Sequence, residues 1–253
     1  MAIAGVILAM PFARRVRRSG PITRRALSLA ILGGVFFALD LAFWNTSVHM
    51  TSAANATLLG NTSPLWVGLG AFFIFHERRR VKFWTGLFLG MLGAALILGM
   101  DALRHPVLGW GDAMALTAGL FYGMYLLATQ RGREHLDALT YFWISVVSCT
   151  VVLFLVSLGF GYSFTGYSAN TYLAFIALGL LTQVMGYLAV SYALGHLPAS
   201  VVAPPLLGQP ILTAILAVPL LGEPITAFQL LGGSAVILGV YLIHRENREA
   251  EAR

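Results

Sequence analysis

The sequence contains very few charged residues. Only 10% of its 253 residues are Asp, Glu, Lys or Arg, whereas 58% are hydrophobic. Soluble domains carry about 25% charged residues, so this composition excludes ordinary water-soluble domains and disordered chains. The single cysteine, Cys149, excludes an internal disulfide scaffold. The class that remains is the polytopic membrane protein.

Long apolar runs recur along the chain. A helix that crosses a bilayer needs roughly 20 mostly apolar residues, and these runs lack the period-two alternation of barrel strands. After a shorter apolar piece at 1–13, they predict eight helical spans at 26–47, 53–75, 84–101, 109–129, 138–160, 171–194, 199–221 and 228–244. The sequence therefore predicts an all-α polytopic protein embedded in a lipid bilayer.

The basic residues are distributed unevenly between the loops. If every predicted span crosses the bilayer, fifteen of the sixteen Lys and Arg fall on one side, and only Arg104 falls on the other. Loops that face the cytoplasm collect Lys and Arg during insertion. We therefore expect this side, with the tail at 245–253, to be cytoplasmic in a plasma or inner membrane. The net charge of +6 then reflects topology, and no nucleic-acid partner is expected.

The chain matches itself when it is shifted by 146 residues, the offset between Pro64 and Pro210. Among the further identities in the gap-free match are Glu77 with Glu223, Gly86 with Gly232, and Gly93 with Gly239. The predicted topology places the two glutamates on opposite sides, so the copies run in opposite directions. An inverted repeat needs an odd number of helices in each copy, and the second copy has five.

This repeat defines the expected domains. They are a first, incomplete repeat at 1–101, a second repeat at 109–244 and the tail at 245–253. Residues 1–13 align with 147–159, so we expect about one and a half helices ahead of Met1 in the complete protein. That protein would have ten helices in two inverted sets of five. Inverted repeats around a central site are typical of secondary transporters.

Three stretches resemble a known family. They are "TSAANATLLGNTSPLW", the following "FHE", and "GQPILTAILAVPLLGEPITAFQLLGGSAVILGVYLI". Together with the five-plus-five arrangement, they resemble the EamA-type drug/metabolite transporter superfamily over nearly the whole chain. The resemblance implies alternating-access transport of a small molecule, but it does not name a substrate. The sequence departs from the pattern in its incomplete first copy and at His76, which stands where the second copy has Gly222.

Residues shared by both copies are expected to be structural. The spaced glycines let helices approach closely, the prolines interrupt helical hydrogen bonding, and each glutamate precedes a helix N-terminus, where it meets the positive end of the dipole. The expected structural residues are Pro64, Glu77, Gly86, Gly93, Pro210, Glu223, Gly232 and Gly239.

Polar residues present in only one copy are better candidates for a substrate or proton pathway. Asp40 is the one acid well inside a predicted span, about 22 Å from the inner boundary at 1.5 Å per residue. An intramembrane carboxylate is costly unless it is paired, protonated or hydrated, and the alternative is a packing hydrogen bond to a neighbouring helix. The predicted pathway residues are Asp40, Trp44, Asn61, Tyr122, Tyr125, Gln183, Tyr187 and Gln209. For the aromatic residues plain packing is the alternative, and for Asn and Gln it is hydrogen bonding between helices.

The sequence offers little material for catalysis. The six histidines lie at predicted span ends or loops, and no nucleotide, metalloprotease or nucleophile-elbow motif occurs. We expect no catalytic residues, no metal site and no cofactor. The most favoured function is secondary transport of a small organic metabolite or drug-like compound, with proton coupling left open. The alternatives are a membrane enzyme acting on lipid-linked substrates and a non-transporting assembly partner. A homodimer is compatible with each.

Overall fold

The fold is described from a computed structural model, which covers residues 1–16, 22–77, 79–98, 109–222 and 224–251. Every regular element in these ranges is helical. The first five helices are α1 (Ala2–Val16), α2 (Arg24–Met50), α3 (Ala53–Gly60), α4 (Ser63–Phe75) and α5 (Val81–Leu98). Next come α6 (Trp110–Arg133), α7 (Ala138–Gly159), α8 (Ala169–Ala177), a π-helix (Leu178–Tyr187) and α9 (Leu188–Ala193). The last are α10 (Ala199–Val202), a 3-10 helix (Pro204–Gly208), α11 (Gln209–Leu221) and α12 (Ala227–Glu251).

Seven helical segments in the described ranges are long and apolar enough to cross a membrane. They are Arg24–Met50, Ala53–Phe75, Val81–Leu98, Ala138–Gly159, Ala169–Ala193, Ala199–Leu220 and Ala227–Glu249. These segments confirm a polytopic all-helical membrane protein. The fourth predicted span, 109–129, forms the helix α6 but is not among the seven. Its aspartate, two tyrosines and several glycines and threonines lower its hydropathy.

The chain forms two compact units, each built from two stretches of sequence. The first unit comprises Met1–Ala42 and Met124–Pro198, and the second comprises Phe43–Gly123 and Ala199–Arg253.

In the first unit, α1 packs on α7. The Trp143 indole nitrogen donates a hydrogen bond to the Gly5 carbonyl at 2.9 Å, and its ring stacks on Phe12 at 3.9 Å. The Asp137 carboxylate caps α7 by accepting from the Thr140 N–H, and it pairs with Arg15 at 3.5 Å. Burial raises the pKa of the Asp137 carboxyl, but the hydrogen bonds from Thr140 and the Arg15 charge outweigh it, so the pKa lies below its usual value.

In the second unit, α5 and α12 pack together through glycines. A methyl group on Gly86 would lie 2.6 Å from the Gly239 carbonyl oxygen, and one on Gly93 would lie 2.5 Å from that of Gly232. Such distances are too short for any side chain, so only glycine allows the backbones this close. The partner numbers fall on α12 as they rise on α5, so the helices are antiparallel. Spaced small residues allow helices to approach this closely.

The contacts of this pair are reciprocal. Around Gly86 the next atoms belong to Leu242 and Ile243, and around Gly232 they belong to Leu96 and Ile97. Each residue of the first set lies 146 positions from its counterpart in the second set. The pair therefore makes a corresponding contact twice, once from each helix.

The ends of α4 and α11 also correspond. Both helices have 13 residues, and each ends at a residue in the left-handed conformation, His76 with φ 57° and Gly222 with φ 71°. The left-handed region costs an L-residue about 1–2 kcal/mol, and glycine avoids that cost.

This difference predicts an asymmetric response to substitution. Gly222→Ala should lower the free energy of unfolding by about 1 kcal/mol, since a side chain there meets no neighbour within 4 Å and only the backbone conformation is strained. His76→Gly should not lower it. Thermal unfolding of the purified variants in one detergent measures both effects, and a neutral Gly222→Ala would contradict the backbone assignment.

Candidate functional site

The second predicted span is broken in its middle. Helix α3 ends at Gly60, and α4 begins at Ser63 with Pro64 in its first turn. Because proline has no N–H, it cannot continue the hydrogen-bond ladder of α3, and it suits the first turn of a new helix. The Thr62 N–H instead donates to the Leu59 carbonyl at 3.2 Å, which tightens the end of α3.

The same interruption occurs in the second copy. There α10 is followed by the 3-10 helix and then by α11, which begins at Gln209 with Pro210 in its first turn. Ser63 and Gln209 are equivalent positions of the repeat. Broken helices at matching positions of two copies are typical of transporter binding sites, where freed backbone groups line a cavity. Pro64 and Pro210 each lie in the first turn of the helix that follows the interruption.

A cavity of about 220 Å³ lies within the second unit and contacts both interruptions. It is lined by Leu58, Leu59, Asn61, Thr62, Met91, Ala94, Ala95 and Leu207. The first four come from the break in the first copy, the next three from α5, and the last from the 3-10 helix of the second copy. No charged side chain is among these lining residues.

Asn61 is the one predicted pathway residue in the lining of this cavity. Its amide nitrogen is buried, and it has no hydrogen-bond partner in the described part of the chain. The Thr62 hydroxyl, by contrast, donates to the Leu59 carbonyl at 2.6 Å and accepts from the Trp66 indole at 3.1 Å. The asparagine amide is thus the polar group left available to a ligand.

Trp44 lies beside the first break. Its ring packs against Gly60, where an added methyl group would lie 3.2 Å from the indole Cδ1. The side chain is 36% exposed. The structure therefore brings Trp44 close to the break that carries Asn61, although Trp44 is not a lining residue of the cavity.

In the first unit, three aromatic rings pack together. Phe37 contacts the rings of Tyr125 and Tyr187, each at 4.6 Å between centroids. Tyr125 is fully buried, which fits the packing alternative left open by the sequence. Tyr187 is half-buried.

Asp40 lies one helical turn after Phe37 on α2, so it is on the same side of that helix. Its side chain is half-buried. In the described ranges the carboxylate has no hydrogen-bond or ion-pair partner, and it interacts electrostatically with the buried Cys149 thiol. A packing hydrogen bond to a neighbouring helix is therefore not observed for this acid.

The π-helix at Leu178–Tyr187 contains both Gln183 and Tyr187. Such helices are rare and frequently occur at functional sites. The Gln183 side-chain oxygen is buried without a hydrogen-bond partner among the described residues. Both residues were predicted from the sequence as pathway residues within a helical span. No residue pattern indicated that this part of the span would form the wider turns of a π-helix.

The remaining predicted pathway residues lie elsewhere. Gln209 is exposed at the first position of α11, and Tyr122 is half-buried on α6. Neither is a lining residue of the cavity. The sequence did not predict that α5 and the 3-10 helix supply the apolar lining of the cavity. Leu207 is nevertheless the position that the 146-residue offset pairs with Asn61 in the first break.

A polar cluster joins three segments at one end of the second unit. The Glu77 carboxylate pairs with Arg79 at 2.6 Å and accepts from the Ser200 hydroxyl at 2.7 Å. Arg79 also donates to the Asn247 side chain at 3.2 Å. Arg79 thus connects this loop to α12.

The expected capping role of Glu77 needs a correction. Its carboxylate binds the guanidinium of Arg79 and the Ser200 hydroxyl, whereas the backbone N–H just before α5, that of Arg80, donates to Glu246 at 2.7 Å. The glutamate is still structural, but it connects segments instead of capping α5. The sequence missed Glu246 because this contact joins residues far apart in the chain. Glu223 lies outside the described residues.

The described ranges hold no group of three or more His, Cys, Asp or Glu side chains placed to bind a metal ion.

Broken helices at matching positions and a glycine-packed antiparallel pair define a multi-pass membrane protein of the transporter type. A sequence model of the EamA-like transporter family matches residues 1–99 and 109–245. The chain belongs to this family.

Similar proteins carry the same general description. A protein of Archaeoglobus fulgidus named an uncharacterized transporter is 28% identical over 85% of this chain and 74% of its own length. The uncharacterized transporter YdfC of Bacillus subtilis is 24% identical over 84% of this chain and 69% of its own. A solved crystal structure shares the fold, with a TM-score of 0.74 at 19% identity over 95% of this chain and 82% of the other.

Proposed function

We propose that this protein is a secondary transporter of a small organic compound that works by alternating access in the plasma membrane, with its C-terminus in the cytoplasm. The observation that carries the proposal is the pair of helix breaks before Ser63 and Gln209, which contact one cavity. Freed backbone groups inside a span are tolerated where they line a cavity, and two such breaks at equivalent positions are the best structural indication of a transport site.

The proposal includes two inverted repeats of five helices each. The reciprocal contacts of α5 and α12 support it, since the antiparallel pair repeats the same contact under the 146-residue offset. The equal lengths and matching left-handed ends of α4 and α11 also support it. In such an arrangement the two copies have opposite orientations in the membrane. Rocking one copy against the other would then expose the site between them first to one side of the membrane and then to the other.

A reconstitution experiment separates this function from its alternatives. Liposomes with the purified chain are incubated in a bacterial cytosolic metabolite extract, and the solutes retained inside are identified by mass spectrometry against empty liposomes. A transporter admits at least one compound, in unchanged form, that empty liposomes exclude. Chemically altered products without accumulation would favour a membrane enzyme, and neither result would favour an assembly partner. Both of these outcomes contradict the proposal.

Asp40 is proposed as the proton-coupling residue. A carboxylate inside a span that has no hydrogen-bond or ion-pair partner among the described residues is able to take up and release a proton. Asp40→Asn keeps the shape of the side chain but removes the titrating group.

Uptake by the Asp40→Asn variant is therefore expected to lose its dependence on an imposed pH gradient. Asp112→Asn is the matched control, because the Asp112 carboxylate already accepts from the Thr51 hydroxyl at 2.7 Å and the Gly109 N–H at 3.0 Å. The control should lose stability but keep the pH dependence of uptake. Equal pH dependence in Asp40→Asn and the wild-type chain would show that another group couples protons.

A further inference from the structure

The cavity of the second unit has a composition that restricts what it can bind. Six of its lining residues are Leu, Met or Ala, and the two polar ones are Asn61 and Thr62. A charged ligand group in such a cavity would lose its hydration without gaining an opposite charge, which is strongly unfavourable. A cavity of this kind therefore selects against ions.

The size of the cavity sets a second restriction. A dry apolar cavity of about 150 Å³ holds one benzene molecule. The present cavity, at about 220 Å³, is about one and a half times as large. It therefore fits a compact molecule of one six-membered ring with a short substituent.

The available polar group sets a third restriction. The Asn61 amide nitrogen is a buried donor with no partner among the described residues, and an unsatisfied buried donor is unfavourable until an acceptor reaches it. The Thr62 hydroxyl is already engaged with Leu59 and Trp66. A ligand gains most if it brings one acceptor oxygen to the asparagine.

We propose that this cavity binds a compact, uncharged compound that carries a carbonyl or hydroxyl oxygen, with Asn61 as the residue that determines specificity. The inference rests on the proposed transport function and names the substrate class for the site between the two helix breaks. Asn61 holds the oxygen, while Leu58, Met91 and Leu207 contact the apolar body of the ligand.

The test uses four probes of equal non-hydrogen atom count and similar shape. They are acetophenone, isopropylbenzene, benzoate and 1-phenylethylammonium, which differ in the acceptor oxygen and in charge. Binding to the full chain in detergent is measured by saturation-transfer NMR. The signal of Ala95→Leu, whose larger side chain fills the cavity, is subtracted to remove partitioning into the micelle.

Acetophenone is expected to bind at least fivefold more tightly than isopropylbenzene, and the two ions are expected to bind more weakly than acetophenone. Asn61→Leu, which keeps the branched shape and the number of side-chain non-hydrogen atoms but removes the amide, should weaken acetophenone binding about fivefold to tenfold more than it weakens isopropylbenzene binding. Thermal unfolding verifies that each variant is folded. Asn61→Gln carries the same amide on a longer side chain, so it should retain part of the preference for acetophenone over isopropylbenzene.

Three outcomes would overturn the proposal. They are equal binding of acetophenone and isopropylbenzene, tighter binding of either ion, and no signal above that of Ala95→Leu. Because equilibrium binding needs no transport, these failures are distinct from failure of the liposome experiment. A chain that transports a solute but fails here has its substrate site elsewhere.

Discussion

Gly93→Ala is expected to lower the free energy of unfolding by about 2 kcal/mol, because overpacking a tight interface costs typically 1–3 kcal/mol. The added methyl group would lie 2.5 Å from the Gly232 carbonyl oxygen and 2.8 Å from the Val236 backbone nitrogen. Both neighbours are backbone atoms, so no side chain can rotate away. The two helices must separate to accept it.

Gly208→Ala is the matched control. Gly208 has φ −73°, and a methyl group there meets no atom within 4 Å, so its effect should stay within about 0.5 kcal/mol. Thermal unfolding in a single detergent measures both variants. If Gly93→Ala is as stable as the control, α5 and α12 do not pack as closely as described.

Double substitutions test the reciprocal contact itself. Gly93→Ala with Gly232→Ala places both methyl groups in one contact, so once the helices have moved apart for the first, the second should cost less. Gly93→Ala with Gly86→Ala disturbs two separate contacts along α5. The loss in free energy of unfolding of the first double variant should therefore be clearly smaller than the sum of the losses of its two single variants. For the second double variant the loss should be closer to that sum.

Arg79→Met is expected to lower the free energy of unfolding by about 3 kcal/mol. The Arg79 and Glu77 side chains are only 11% and 20% exposed, and they pair at 2.6 Å. Removing one partner of a mostly buried ion pair leaves the other charge without compensation, which costs about 3–5 kcal/mol when burial is complete. Arg79 also lies 5.7 Å from the centre of the Phe83 ring, a contact that methionine replaces only in part.

Two further variants distinguish the ion pair from a general effect of charge. Arg80→Met removes the same charge from an exposed neighbouring side chain and should change stability by less than about 0.5 kcal/mol. Adding Glu77→Gln to Arg79→Met should recover part of the loss, because the unpaired carboxylate is gone. A double variant that is less stable than Arg79→Met would contradict this explanation.

The fold class followed from the sequence because bilayers impose long apolar helices, and such helices are visible in composition and run length. The spans and the close glycine contacts were predicted for that reason. The short interruption before Ser63 was predicted only as a proline position. Its geometry depends on which carbonyl accepts the Thr62 N–H, and a residue pattern does not specify that choice.

The candidate site was less predictable than the fold. Asn61 was identified because it is polar inside a span, yet its role depends on neighbours from α5 and the 3-10 helix, which the sequence does not place beside it. Tyr125 was identified by the same reasoning and proved to be fully buried against Phe37. Polarity and depth indicate candidates, but the packing of other helices decides which of them face a cavity.

Cysteine accessibility tests the central claim, alternating access to the cavity at the paired breaks, most directly. The only native cysteine is removed by Cys149→Ser, and Ala95→Cys introduces a thiol into the cavity lining. Phe88→Cys on the same helix is the control, since Phe88 is 71% exposed on a membrane-spanning helix and should face lipid. Labelling with a membrane-impermeant maleimide is measured in intact cells and in inside-out vesicles. Alternating access predicts that Ala95→Cys is labelled in both preparations and Phe88→Cys in neither, whereas labelling of Ala95→Cys from one side only, or from neither side, would contradict it.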